Sequence, residues 1–230
     1  RQGGRVVLRH QQAAFLVGDE FGDARMAGRN RRPMQKDTVF RIMSMTQPVV
    51  AFSILMMAEE GRVRLDDPVS RFIPELKGLR VAAEGIPGGV EADREITVKD
   101  LLTHSSGLMS GPAGNGAVAI EFTPDATLAS VLPQLAAAPL EFQPGTRWAY
   151  SPMYGFDVLA RIVEVASGVD FGTFTRARIF DPLGMDNTYF YRDTPDTDVA
   201  TLYRNDNGKL VETPDMPFIN GAYFSGGGGL

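Results

Sequence analysis

Apolar and polar positions along the chain predict strands, then a long helical stretch, then strands again. Val6 to Arg9 and Ala13 to Val17 are short β-prone runs parted by polar residues, which predicts an antiparallel sheet edge. From Ser44 to Glu60 apolar residues run nearly all the way round the helical wheel, the pattern of a fully buried helix, and Gly61 supplies its stop. Pro48 fits that helix because the first turn has N–H groups with no intrahelical acceptor. Thr97-Val98-Lys99-Asp100 predicts a capping box and a short helix through Leu102. Thr123-Pro124 predicts another cap, opening a helix that Pro133 kinks or ends. Leu159, Ile162, Val163 and Ala166 follow i, i+3, i+4, i+7 spacing with Gly168 closing the helix, and Phe171 and Phe174 begin one that stops near Asp181-Pro182-Leu183-Gly184. Thr201 to Arg204 and Lys209 to Glu212 flank Asn205-Asp206-Asn207-Gly208, a hairpin signal.

This order predicts an α/β (α+β) fold: an antiparallel sheet flanked by helices, with a mostly helical lobe inserted between the N- and C-terminal sheet segments. The expected division is one unit over 1–230, with 1–43 and about 195–230 on the sheet side and about 44–194 in the helical lobe. The chain begins at Arg1 and closes on Gly226-Gly227-Gly228-Gly229-Leu230, a glycine run with no intrinsic tendency to form an element. Both ends read as cut, so the sequence carries no statement of compartment.

Composition narrows the chemistry. With 43% hydrophobic and 22% charged residues the chain is ordinary globular material. A net charge of -5 without a long basic run argues against nucleic acid as a partner. There is no cysteine, so thiol chemistry and disulfides are unavailable. The histidines are His10 and His104 alone, outside any His-Glu-x-x-His pattern, so a dedicated zinc site is not expected. The apolar stretch from Val49 to Ala58 is too short for a bilayer span, which needs about 20 residues.

Ser44 is the first candidate for chemistry. A serine opening a helix commonly serves as its N-cap, yet here it precedes a wholly apolar helix whose N–H groups and positive dipole end could serve a reaction at a cleft floor. Gln47 lies one turn on, on the same face. Tyr150 stands in Pro144-Gly145-Thr146-Arg147-Trp148-Ala149-Tyr150-Ser151-Pro152, where Trp148 and Tyr150 share one side of an extended segment. Such a tyrosine is either an amphipathic packing residue or a proton carrier, and as a base it would need a neighbouring cation.

Together, Phe40 to Pro48, Glu59 to Val69, Ile96-Thr97-Val98-Lys99-Asp100-Leu101-Leu102-Thr103-His104-Ser105-Ser106-Gly107-Leu108, Pro144 to Ser151 and Asp181-Pro182-Leu183-Gly184-Met185 resemble the serine β-lactamase and penicillin-binding-protein-like superfamily. Within it they are most similar to the class C-like branch that holds the family VIII carboxylesterases. The resemblance implies Ser44 as acyl-accepting nucleophile, position 47 as the place of a lysine, and Tyr150 as proton relay. It also implies the Ser44 N–H as one oxyanion donor and Ser151 on the substrate-binding side. The expected activity is cleavage of small carboxylic esters through an acyl-enzyme, with no metal or organic cofactor. D-aminopeptidase, amidase or weak β-lactamase activity on the same site, and a non-catalytic binding homologue, are the alternatives. Class C β-lactamases carry Tyr-x-Asn where this chain has Tyr150-Ser151-Pro152, which disfavours cephalosporins. His104 invites a Ser-His-acid reading, but without a Gly-x-Ser-x-Gly elbow it reads as structural. Gln47 departs from the pattern: a neutral amide neither accepts a proton near neutral pH nor supplies charge, so acylation is expected to be strongly slowed.

Overall fold

The strands are β1 (Val6–His10), β2 (Ala13–Val17), β3 (Asp23–Arg25), β4 (Arg32–Pro33), β5 (Arg80–Ala83), β6 (Ile86–Glu91), β7 (Tyr203–Asp206) and β8 (Lys209–Glu212). They pair in sequence as antiparallel two-stranded ladders. The helices are α1 (Thr46–Glu59), α2 (Val98–Leu102), α3 (Pro112–Asn115), α4 (Leu128–Val131), α5 (Tyr154–Ser167) and α6 (Phe171–Thr175). The computed structural model describes residues 6–10, 13–17, 23–25, 32–33, 35, 38–190, 199–213 and 222–230.

Two compact units divide the chain, one of Arg1–Arg41 with Asp193–Pro217 and one of Ile42–Arg192 with Phe218–Leu230. The first holds β1 to β4 and β7 to β8. Its β7–β8 hairpin turns on Asn207 and Gly208 with φ of 50° and 87°, the left-handed pair that a two-residue hairpin demands. Val39 bridges Val199, and the Arg41 guanidinium donates to the Ala200 carbonyl at 3.1 Å.

In the second unit the predicted caps do their work locally. Thr97 accepts from the Asp100 N–H while the Asp100 carboxylate accepts from the Thr97 N–H, closing the capping box of α2. The other expected cap moves. Thr123 and Pro124 form a turn, with Ala126 N–H donating to the Thr123 carbonyl, and the helix starts four residues later under a Thr127–Ser130 box. Pro133 has no N–H to give an α-helical ladder, and the chain there tightens into a 3₁₀ helix over Leu132–Ala137.

α5 packs against α1, α2, α4 and α6, around a core that includes Ile54, Met57, Leu101, Leu128, Leu159, Ile162, Val163 and Phe171. Gly168 ends α5 at φ 82°, as its position after the apolar stripe predicts. α1 departs from the fully buried helix expected of it: Phe52 and Leu55 remain 51% and 48% exposed. An apolar residue on every side is therefore not the same as contact on every side.

The β5–β6 hairpin was not legible in the sequence, because Pro87, Gly88 and Gly89 interrupt the second strand. Its register explains the last of these: a β-carbon on Gly89, which sits at φ 67°, would run into the Val81 carbonyl. No helix among the described residues is long and apolar enough to cross a membrane.

Candidate active site

Ser44 lies in a single 3₁₀ turn, Met43–Met45, that runs straight into α1, and it is exposed. Neither helix start carries a side-chain cap, so the Ser44 hydroxyl is not spent on an N-terminal N–H. Met43, just before it, has φ 51°. A residue with a β-carbon pays about 1–3 kcal/mol for such a backbone, and it persists only where the surroundings impose it.

Gln47 follows one turn later, 7% exposed. Its Nε2 donates to the Tyr150 hydroxyl at 3.0 Å and to the Pro152 carbonyl at 3.3 Å. A carbonyl only accepts, so the second bond fixes which way the amide points. Both amide hydrogens are then committed, and the tyrosine oxygen is an acceptor on this side. A lysine amine in the same place would meet the same two acceptors and keep a third donor. What the amide lacks is the charge and the basic lone pair.

Tyr150 is 38% exposed and rests against His104, with ring centroids 4.8 Å apart. Trp148 reaches the same imidazole edge-on at 6.2 Å, so both aromatics of the alternating pair do meet one neighbour. His104 adopts φ 54°, accepts the Ser151 N–H on Nδ1 at 3.4 Å, and gives its carbonyl to the Ala149 N–H. Burial pushes its pKa down, and an imidazole that accepts on Nδ1 is neutral. It is a support for the Tyr150 segment. Ser151, expected on the substrate-binding side, is 2% exposed, and its hydroxyl accepts the Gly155 N–H at 3.1 Å. That arrangement holds the start of α5.

Asp100 lies beside Gly145, near the start of the segment that carries Tyr150. Arg94 grips it with two bonds of 2.5 and 2.9 Å, and Thr97 adds its N–H and hydroxyl. Desolvation pushes this carboxyl up, but Arg94 and Thr97 together bring it below the usual range. Gly145, at φ 82°, leaves room for the guanidinium, which a β-carbon would strike, and its N–H donates to the Ser105 carbonyl.

A second buried carboxylate, Asp157 on α5, escaped the sequence reading. It is fully buried and accepts from the Tyr223 hydroxyl at 2.6 Å, the Ser225 hydroxyl at 2.8 Å and the Gly227 N–H at 2.9 Å. Burial raises its pKa to about 6 against the pull of those donors. An acid at a helical position flanked by Phe156, Val158 and Leu159 was the available signal. The described residues contain no cluster of side chains fit to hold a metal ion.

The beta-lactamase family profile matches residues 2–230. Protein Rv1367c of Mycobacterium tuberculosis is 36% identical over 245 residues, spanning 99% of this chain and 58% of that protein. Esterase EstB of Burkholderia gladioli is 32% identical over 252 residues, spanning 98% of this chain and 60% of that protein. Among solved structures, EstCE1, described as a hydrolase with promiscuous acyltransferase activity, superimposes with a TM-score of 0.70 at 29% identity, over 86% of this chain and 56% of that one. The chain thus spans less than two thirds of the length of these relatives. With its mixed helices and antiparallel strands and a match along nearly its whole length, this chain belongs to the beta-lactamase family of serine hydrolases, which includes esterases, acyltransferases and penicillin-binding proteins.

Proposed function

We propose that the protein is a serine hydrolase for small carboxylic esters, working through an acyl-enzyme on Ser44 and slowed by Gln47. In the forward step the Ser44 oxygen attacks the ester carbonyl carbon and the alcohol departs. Tyr150 carries the serine proton to that leaving oxygen. Water then releases the acid and restores Ser44, with Tyr150 as the relay in reverse. The reading rests on one observation above the others: the Gln47 amide, one turn from the exposed Ser44, is bonded at 3.0 Å to a tyrosine 103 residues away. Ester chemistry is favoured by the likeness to EstB and EstCE1. His104 supports the Tyr150 segment through the Ser151 N–H, and the Ser151 hydroxyl accepts from Gly155 at the start of α5.

Gln47→Lys is expected to raise hydrolysis of a short-chain p-nitrophenyl ester at least about a hundredfold, the usual worth of a positioned acid-base group. A folded variant with no gain overturns the role given to position 47. Gln47 itself favours a second reading, a homologue that binds an acyl compound without turnover. That reading requires that a fluorophosphonate leave no adduct on Ser44 even after Gln47→Lys. Parallel assays with D-amino-acid amides and nitrocefin separate esterase from amidase and β-lactamase.

A further inference from the structure

The glycine run Gly226-Gly227-Gly228-Gly229 is a buried turn, and both of its ends are tied. On one side Asp157 receives the Ser225 hydroxyl and the Gly227 N–H. On the other, the Leu230 carbonyl accepts from the Ile42 N–H at 2.9 Å and the Met43 N–H at 3.2 Å, while the Leu230 N–H donates to the Thr46 hydroxyl at 3.1 Å. These three contacts bracket Ser44: two lie before it and one after. They also fall on the residue whose left-handed backbone requires external support, Met43.

The glycines explain why the strap can pass so close. A β-carbon on Gly227 would come within 2.5 Å of the Met153 Cα, one on Gly229 within 2.7 Å of the Ser225 carbonyl oxygen, and one on Gly226 would strike the Phe156 carbonyl. The strap is therefore pressed on the first turn of α5, where Asp157 sits, and its far end on the turn that carries Ser44. Thr46 and Asp157 are both wholly buried, so neither bond has water as a ready substitute.

We propose that Asp157 is a positioning residue for the nucleophile: it anchors the 225–230 strap, and the strap holds the Ile42 and Met43 N–H groups and the Thr46 hydroxyl in the geometry that presents Ser44. It acts through Leu230 and touches no substrate. The proposal rests on the reading of Ser44 as the nucleophile, but the backbone linkage can be measured without any catalysis. Hydrogen exchange resolved to single amides in the whole protein is the direct test. Asp157→Leu is expected to speed exchange at Ile42 and Met43 at least tenfold while the interior of α1, residues 50 to 57, stays within about twofold of the parent. Asp157→Asn, which keeps one carbonyl acceptor, is expected to fall between the two. A folded Asp157→Leu protein with unchanged exchange at Ile42 and Met43 overturns the linkage.

Where Asp157→Leu does not fold, Ser225→Ala and Thr46→Val cut the strap at either end without touching Asp157, and each is expected to speed the same two amides about threefold. No change in either overturns the proposal. Catalysis supplies the second arm. In a Gln47→Lys background, Asp157→Asn is expected to lower kcat for a p-nitrophenyl ester at least tenfold with KM within twofold, the split expected of a displaced nucleophile and not of a damaged binding surface. An inactive Gln47→Lys background sinks the hydrolase reading alone, because the exchange result still decides the linkage.

Discussion

Asp100 and Asp157 are both buried carboxylates, one beside Gly145 in the segment that leads to Tyr150 and one holding the strap that leads to the Ser44 turn, and they are held by opposite means. Asp100 has a guanidinium against it and partners within six residues along the chain, and its pKa lies below the usual range. Asp157 is held by hydroxyl and N–H donors from residues 66 to 70 positions away, and burial carries it up to about 6. The contrast teaches that hydrogen bonds alone can seat a buried carboxylate but leave its charge costly. At Asp100, which is less deeply buried, the paired cation and the Thr97 donors tip the balance to the charged form. The pair beside Gly145 is thus an electrostatic corner with local origins, and the support of the Ser44 turn a polar strap assembled from distant parts of the chain.

The largest expected effect separates the two carboxylates by pH. Asp157 is raised in the folded protein, so the native state binds the extra proton between the ordinary value of 3.8 and about 6. Its contribution to stability is fully present below the lower value and is lost as pH rises through the upper one, a swing of about 3 kcal/mol. Asp100 runs the other way: its contribution is present above the unfolded value and is lost as pH falls through its depressed folded one. Of the groups around Asp157, the two phenols stay outside this window, and Glu164 titrates in parent and variant alike, so it drops out of the difference between them. Burial and then the charge of Asp157 push Tyr154 up to about 12 and Tyr223 well above its ordinary value, so both phenols stay neutral. Glu164, further along α5, is raised by burial but is paired with Arg161. Denaturant melts of the parent and Asp157→Asn at pH 4, 5, 6 and 7 should show the variant gaining on the parent by about 2 kcal/mol across the series. A constant difference would remove the contrast.

A smaller effect tests the cation. Arg94→Met leaves Asp100 with Thr97 and the Ser105 hydroxyl and is expected to cost about 2 kcal/mol at pH 7, less than a fully buried pair because the arginine side chain is 44% exposed. The loss should shrink at pH 3, where the carboxyl takes a proton; a loss independent of pH would mean that Arg94 acts by packing on Gly145. The smallest is Thr97→Ala, which removes the cap of α2 for about 1 kcal/mol and should leave exchange at Ile42 and Met43 untouched, because those amides depend on the other carboxylate.

Legibility in the sequence followed the same divide. The Thr97–Asp100 box, the Asn207-Gly208 turn and the Gly168 stop were all readable, because each is decided by groups three or four residues apart. Thr123 misled because Thr127 with Ser130 offered the better box, and the β5–β6 hairpin was hidden by residues that strands ordinarily avoid. The family, and with it the fold, was legible because ordered blocks spread over most of the chain agree.

The residue order alone thus settles the long helices α1 and α5, the α2 capping box, the β7–β8 turn and the kinship of the chain, since these depend on near neighbours and on ordered blocks. Only the tertiary structure decided that Gln47 bonds Tyr150 across 103 residues, that Asp157 takes its donors from beyond residue 222, and that Leu230 closes on Thr46 across 184. Contacts at such separations become definite only once the core around α5 has brought the segments together, and nothing in the local pattern of a glycine run or a lone helical aspartate specifies which partner it will meet.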